Sequence, residues 1–86
     1  MDIKKIKNKL KIEEIISRYI DLKPMGSNLL RGYCPFHPET KSSFTVYIDT
    51  QSYFCFGCGA WGDVINFVMK IENISFTEAI NLLKND

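Results

Sequence analysis

The sequence predicts an α+β fold: a small antiparallel β-sheet flanked by N-terminal and C-terminal helices and pinned by a metal ion. Three observations predict it. Apolar residues recur at helical spacing at both ends, the middle is aromatic and β-branched with alternation, and two short cysteine motifs bracket that middle. With 86 residues the chain is expected to be one domain, 1–86. A domain this small buries proportionally little surface, so a staple is expected.

The first helical region is expected over about residues 3–21. Ile3, Ile6 and Leu10 recur at helical spacing, and Ile12, Ile15, Ile16, Tyr19 and Ile20 fall on one face. Pro24 and Gly26 mark "KPMGSN" as a loop. The sheet is expected over about 29–58. In "SFTVYID", Phe44, Val46 and Ile48 alternate with Thr45, Tyr47 and Asp49, and "DTQS" suits a hairpin turn before "YFCF". Helical spacing returns over about 63–84. Asp63 caps a helix burying Val64, Phe67, Val68 and Ile71. "SFTE" has the capping-box form ahead of Phe76, Ala79, Ile80 and Leu83. These apolar stripes are core, and there is no repeat, linker or low-complexity tract.

The metal site reads from "CPFH" and "CFGC", which give Cys-x2-His, seventeen intervening residues, then Cys-x2-Cys. A two-residue gap lets one tight turn present two ligands to one ion, and a hairpin brings two such turns together. Cys34, His37, Cys55 and Cys58 use every cysteine and the single histidine of the chain. Three soft thiolates and an imidazole in a closed set favour Zn2+, held for structure with no position open to water. Gly57 and Gly59 are expected to take positive φ and fold the backbone round the thiolate. A redox role for Cys55 and Cys58 is disfavoured because no βαβ pattern surrounds them.

Other chemistry finds few residues to use. The histidine is assigned to metal, which leaves no Ser-His or Cys-His pair, and there is neither a P-loop nor an acidic cluster suited to Mg2+. The domain by itself is read as non-catalytic. No apolar run approaches a membrane span and the N-terminus lacks a signal-peptide core, so an intracellular setting with reduced thiols is expected. The formal charge of +1 falls to neutral with zinc bound, so any attraction to phosphate must come from local patches. The lysines of the first eleven residues read as a solvated helix face.

"GYCPFHPETKSSFTV", "YFCFGCGAWGDVINFVM" and "ISFTEAINLL" together resemble the zinc-binding domain of bacterial DNA primases, the CHC2 type of zinc ribbon. The similarity runs from about Ile12 to Leu83. It implies a zinc ribbon flanked by helices, with Cys34, His37, Cys55 and Cys58 as ligands. It also implies a module that recognises the single-stranded DNA template where primer synthesis begins in the bacterial cytoplasm, at the nucleoid. Polymerising chemistry would lie in a separate Mg2+-binding domain, itself a candidate partner along with other replication proteins.

The DNA-facing side departs from the family pattern. After the histidine this chain has "ETKSSF" where Glu-Lys-Thr-Pro-Ser-Phe is usual. Thr50 stands where a lysine is usual and Ser52 where an aromatic is usual, and the loop before Cys34 is one residue longer. Lys23, Arg31 and Lys41 remain near matching positions, and Tyr47 on the outward face of its strand can stack on a base. Phe54 and Phe56 are expected to pack the ribbon, and Trp61 to shield the knuckle or pack on a helix. Two functional readings follow: template recognition, or a docking or regulatory zinc ribbon that binds a replication protein.

Overall fold

The computed structural model describes residues 9–36 and 43–84. Helix α1 (Ile12–Ile16) is followed by strands β1 (Lys23–Pro24), β2 (Leu29–Gly32), β3 (Phe44–Tyr47), β4 (Ser52–Cys55) and β5 (Trp61–Gly62), then helices α2 (Val64–Glu72) and α3 (Phe76–Lys84). The five strands form one antiparallel sheet in sequence order, β1-β2-β3-β4-β5.

The order of strands follows from the lengths of their connections. Tyr47 pairs with Ser52, so four residues, 48–51, turn the β3–β4 hairpin. Ser52 therefore begins a strand and does not belong to the turn. Gln51 takes a left-handed φ of 54° there, and its side chain does long-range work. Its Oε1 accepts from the Ile12 amide at 2.8 Å, and its Nε2 donates to Ile48 O at 2.7 Å and to Glu13 Oε1 at 3.0 Å. Lys11, the N-cap of α1, makes no side-chain cap bond, so the hairpin supplies the missing acceptor.

Helix α1 is shorter than the apolar spacing suggests. It stops at Ile16, because Ser17 turns its hydroxyl onto Glu14 O at 2.9 Å and the next amides bond three residues back. Ile12, Ile15 and Ile16 are buried, whereas Tyr19 is more open and lays its ring edge-on to Phe67 at 5.7 Å. The part of the expected helix that includes Ile3 and Ile6 lies outside the described residues.

The C-terminal helices begin as the capping residues dictate. Asp63 Oδ1 accepts from the Asn66 amide at 2.9 Å while Asn66 Oδ1 accepts from the Asp63 amide, a reciprocal box. Gly62, at φ 155°, precedes it. A Cβ on that residue would lie 2.6 Å from Asn66 Cβ, so only glycine lets the helix start so close to the sheet. The second box is also present: Ser75 Oγ accepts from the Glu78 amide at 3.2 Å and Glu78 Oε1 accepts from the Ser75 amide at 3.5 Å. Between the helices Asn73 is left-handed and ends α2.

The core lies between one face of the sheet and the helices. Phe44, Val46, Tyr53 and Cys55 point inward against Ile12, Ile16, Phe67, Val68 and Ile80, all buried. Thr45, placed on the outward face by alternation, is buried too.

Candidate metal centre and outer sheet face

Cys55 ends β4 and Cys58 sits in the turn that follows. Two backbone bonds close that turn: the Cys55 amide donates to Ala60 O and the Gly59 amide donates to Cys55 O, both at 2.8 Å. Gly59 takes φ 80°, as the turn requires. Gly57 does not take positive φ, contrary to the expectation; one left-handed residue suffices to reverse the chain.

Cys34 arrives from β2, two residues past Gly32. The residue that fixes it is Phe36, which the sequence reading passed over. Its ring sits 5.5 Å from Phe67 and 6.3 Å from both Phe44 and Tyr53, with the Lys70 ammonium 5.2 Å from its centroid. An aromatic between the two ligand positions of "CPFH" thus plugs the first knuckle into the core. Position in the motif gave a signal: an internal Phe beside a metal knuckle needs an apolar cavity.

The sulfurs of Cys34, Cys55 and Cys58 all lie within 4.8 Å of one another, and Cys34 Sγ is 3.8 Å from Cys58 Sγ. Tetrahedral thiolates bound at ~2.3 Å stand ~3.8 Å apart, so this spacing fits one shared metal ion. None of the three cysteines is in a disulfide. Burial, reinforced by the Cys55 and Cys58 sulfurs, pushes the Cys34 thiol up to about 12. Concentrating three thiolates in so small a volume is unfavourable without a cation to offset their charge. Ser43 Oγ lies 3.8 Å from Cys55 Sγ, a further polar contact to the cluster. His37, the fourth expected ligand, and Lys41 lie outside the described residues.

The strand register builds a second feature on the opposite face of the sheet. Lys23, Arg31, Thr45, Phe54 and Trp61 are direct cross-strand partners in succession, forming one row across all five strands. Leu29, Tyr47 and Ser52 form the adjacent row on the same face. Lys23 and Arg31 are exposed at one end of the first row, and Tyr47 is half-buried beside it. Three of the four expected DNA contacts therefore share this face.

The aromatics of the second knuckle correct the expectation for them. Phe56 is 62% exposed, touching the half-buried Phe54 edge-on at 4.9 Å, and Trp61 is 73% exposed. Neither packs the ribbon's interior, because alternation from buried Tyr53 and Cys55 sends Phe54 to the outer side and pairs it with Trp61. Together with Tyr47 they line a depression of about 500 Å³. A second hollow of about 320 Å³ adjoins it, sharing Tyr47 and Phe56 and reaching Arg31 and Met25. No helix among the described residues is long and apolar enough to cross a membrane.

Comparison with known proteins agrees with this architecture. DNA primase of Thermotoga maritima is 51% identical over 81 residues, covering 94% of this chain and 14% of that protein. DNA primase of Mycolicibacterium smegmatis is 45% identical over 82 residues, covering 95% of this chain and 13% of its own length. The chain thus spans about a seventh of these relatives. The crystal structure of Aquifex aeolicus primase, comprising zinc-binding and RNA polymerase domains, superposes with a TM-score of 0.92 at 39% identity, over 99% of this chain and 21% of that one. The CHC2 zinc finger profile matches residues 1–86, and the chain belongs to that family, corresponding to the zinc-binding domain of its DNA primase relatives.

Proposed function

We propose that this domain binds Zn2+ through Cys34, His37, Cys55 and Cys58 and recognises the single-stranded DNA template of a DNA primase during primer synthesis. The observation that carries the proposal is the cross-strand row: two exposed cations at one end, half-buried Phe54 and exposed Trp61 at the other, on a sheet whose opposite face is core. Cations neutralise backbone phosphates and aromatic rings take unpaired bases, the two elements of single-strand binding. Lys23, Arg31 and Tyr47 are the contacts on this row and its neighbour, and Lys41 completes the set from the segment between the knuckles. The zinc acts only through the fold. It joins the end of β2 to the β4–β5 turn and so holds the strands in register. In this reading the primase catalytic domain, or another replication protein, is the partner that uses the bound template.

The test is a titration of zinc-loaded protein with labelled single-stranded DNA at several salt concentrations. Affinity should fall as salt rises. The double variant Lys23→Ala/Arg31→Ala should bind more weakly, with a log–log salt slope shallower by about 0.7 per phosphate contact removed. Absence of binding at low salt, or binding without a salt slope, would refute the proposal.

A further inference from the structure

The hollow on the β4–β5 side of the outer face contains the largest exposed side chain of the described residues. Trp61 stands on a two-residue edge strand, 73% exposed, next to Phe56 at 62%. Rings left this open contribute little to stability, since most of their surface stays in water. Their arrangement is nonetheless defined. Trp61 is the cross-strand partner of Phe54, Phe54 meets Phe56 at 64° between ring planes, and with Tyr47 they surround a concave space of about 500 Å³.

We propose that this hollow holds one unstacked base of a bound single strand, with Trp61 as its stacking partner. The inference rests on the reading of the outer face as a DNA surface and assigns a direction to it. The basic end of the row lies on β1 and β2, and Trp61 lies on β5, three strand spacings or about 14 Å from Arg31. A nucleic-acid strand that uses both ends therefore runs across the β-strands, with phosphates held over Lys23 and Arg31 and a base inserted beside Trp61. A flat base with a charged backbone matches this combination of open aromatic hollow and nearby cations. An apolar protein surface would match the hollow but leave Lys23 and Arg31 unanswered. Because every base offers a π-face, this site adds affinity with little sequence preference.

Trp61 is the single tryptophan of the chain, so the emission comes from one side chain, which borders this hollow and a second one against α2. Titrating zinc-loaded protein with a short single-stranded oligonucleotide should quench that emission, with the midpoint seen by anisotropy of the labelled DNA. Trp61→Ala should weaken binding on the order of tenfold and leave the salt slope unchanged, and Trp61→Phe should recover part of the loss. Circular dichroism should show both variants folded, as expected for so exposed a side chain. One abasic position moved along the oligonucleotide should reproduce the loss in the wild type and cost nothing more in Trp61→Ala. Wild-type affinity of Trp61→Ala together with unquenched emission would overturn the base site and leave the DNA reading standing. Absence of any single-strand binding by the wild type would overturn both. A Trp61→Ala effect on self-association in sedimentation, with DNA affinity unchanged, would assign the hollow to a second copy of the chain and overturn the base site.

Discussion

On the inner face of the sheet Phe44, Val46, Tyr53 and Cys55 are buried to within 2%. On the outer face Phe54 of β4 is half-buried, and Phe56 just past β4 and Trp61 of β5 are mostly in water. The two faces have similar aromatic content and opposite surroundings. Inside, Phe44 and Tyr53 stack at 5.2 Å and Phe67 meets both edge-on, so each ring is fixed by its neighbours. Outside, the described residues provide one ring contact, Phe54 to Phe56. The difference teaches that aromatic composition alone does not identify core: in a strand, parity decides, and the outward rings remain available for something other than folding.

The sharpest way to break the comparison is to remove what holds both faces in register. Cys58 is exposed, so Cys58→Ser deletes a sulfur without emptying any core space. If the zinc reading is right, this variant and the wild type stripped by a strong chelator should both lose the cooperative fold. Zinc ligation in small modules contributes on the order of 10 kcal/mol, comparable to the whole stability of a small domain. Loss of the sigmoidal thermal transition in circular dichroism, with recovery on adding zinc to the stripped wild type, is the expected result. A stripped protein that still melts cooperatively would show that the aromatic core suffices.

A smaller effect separates the faces directly. Phe67→Ala removes a fully buried ring that touches Tyr19, Phe36, Phe44 and Tyr53, and should cost about 3–5 kcal/mol. Phe56→Ala removes a ring that is mostly solvated and should change stability by less than about 0.5 kcal/mol. Urea titration of the zinc-loaded proteins gives both numbers. Equal losses would mean that the outer rings are a second core.

What could be read from sequence divides along the same line. Both helix caps at Asp63 and Ser75 were legible because capping is local: the acceptor and the amide it serves are three residues apart. The cysteine pairs were legible because knuckle spacing is set by one turn of backbone. Phe36 and Gln51 were not, since each acts on partners about 30 or more residues away in sequence, Phe67 for one and Ile12 for the other. The sheet face that Trp61 presents is not legible for a related reason. A two-residue strand carries too little alternation to reveal which face it presents, and its pairing with Phe54 fixes that only once the chain has folded. The early end of α1 hinged on Ser17, whose hydroxyl back-bond competes locally with helix continuation.

The smallest expected effect concerns the residue that crosses the division. Thr45 lies on the outer row between Arg31 and Phe54, yet is 4% exposed, and its Oγ1 has no hydrogen-bond partner among the described residues. A buried hydroxyl without a partner loses its hydration and receives nothing in exchange. Thr45→Val keeps the branched shape that suits a strand and removes only that polar atom. Stability should rise, by up to about 1 kcal/mol, as a higher urea midpoint with an unchanged m-value. DNA affinity should stay at the wild-type level, since Val fills the same space beneath the row and leaves Arg31 and Phe54 where they are. A fall in stability would mean that the hydroxyl is hydrogen-bonded in solution, and the outer face would then have a polar contact of its own helping to set the positions of Arg31 and Phe54.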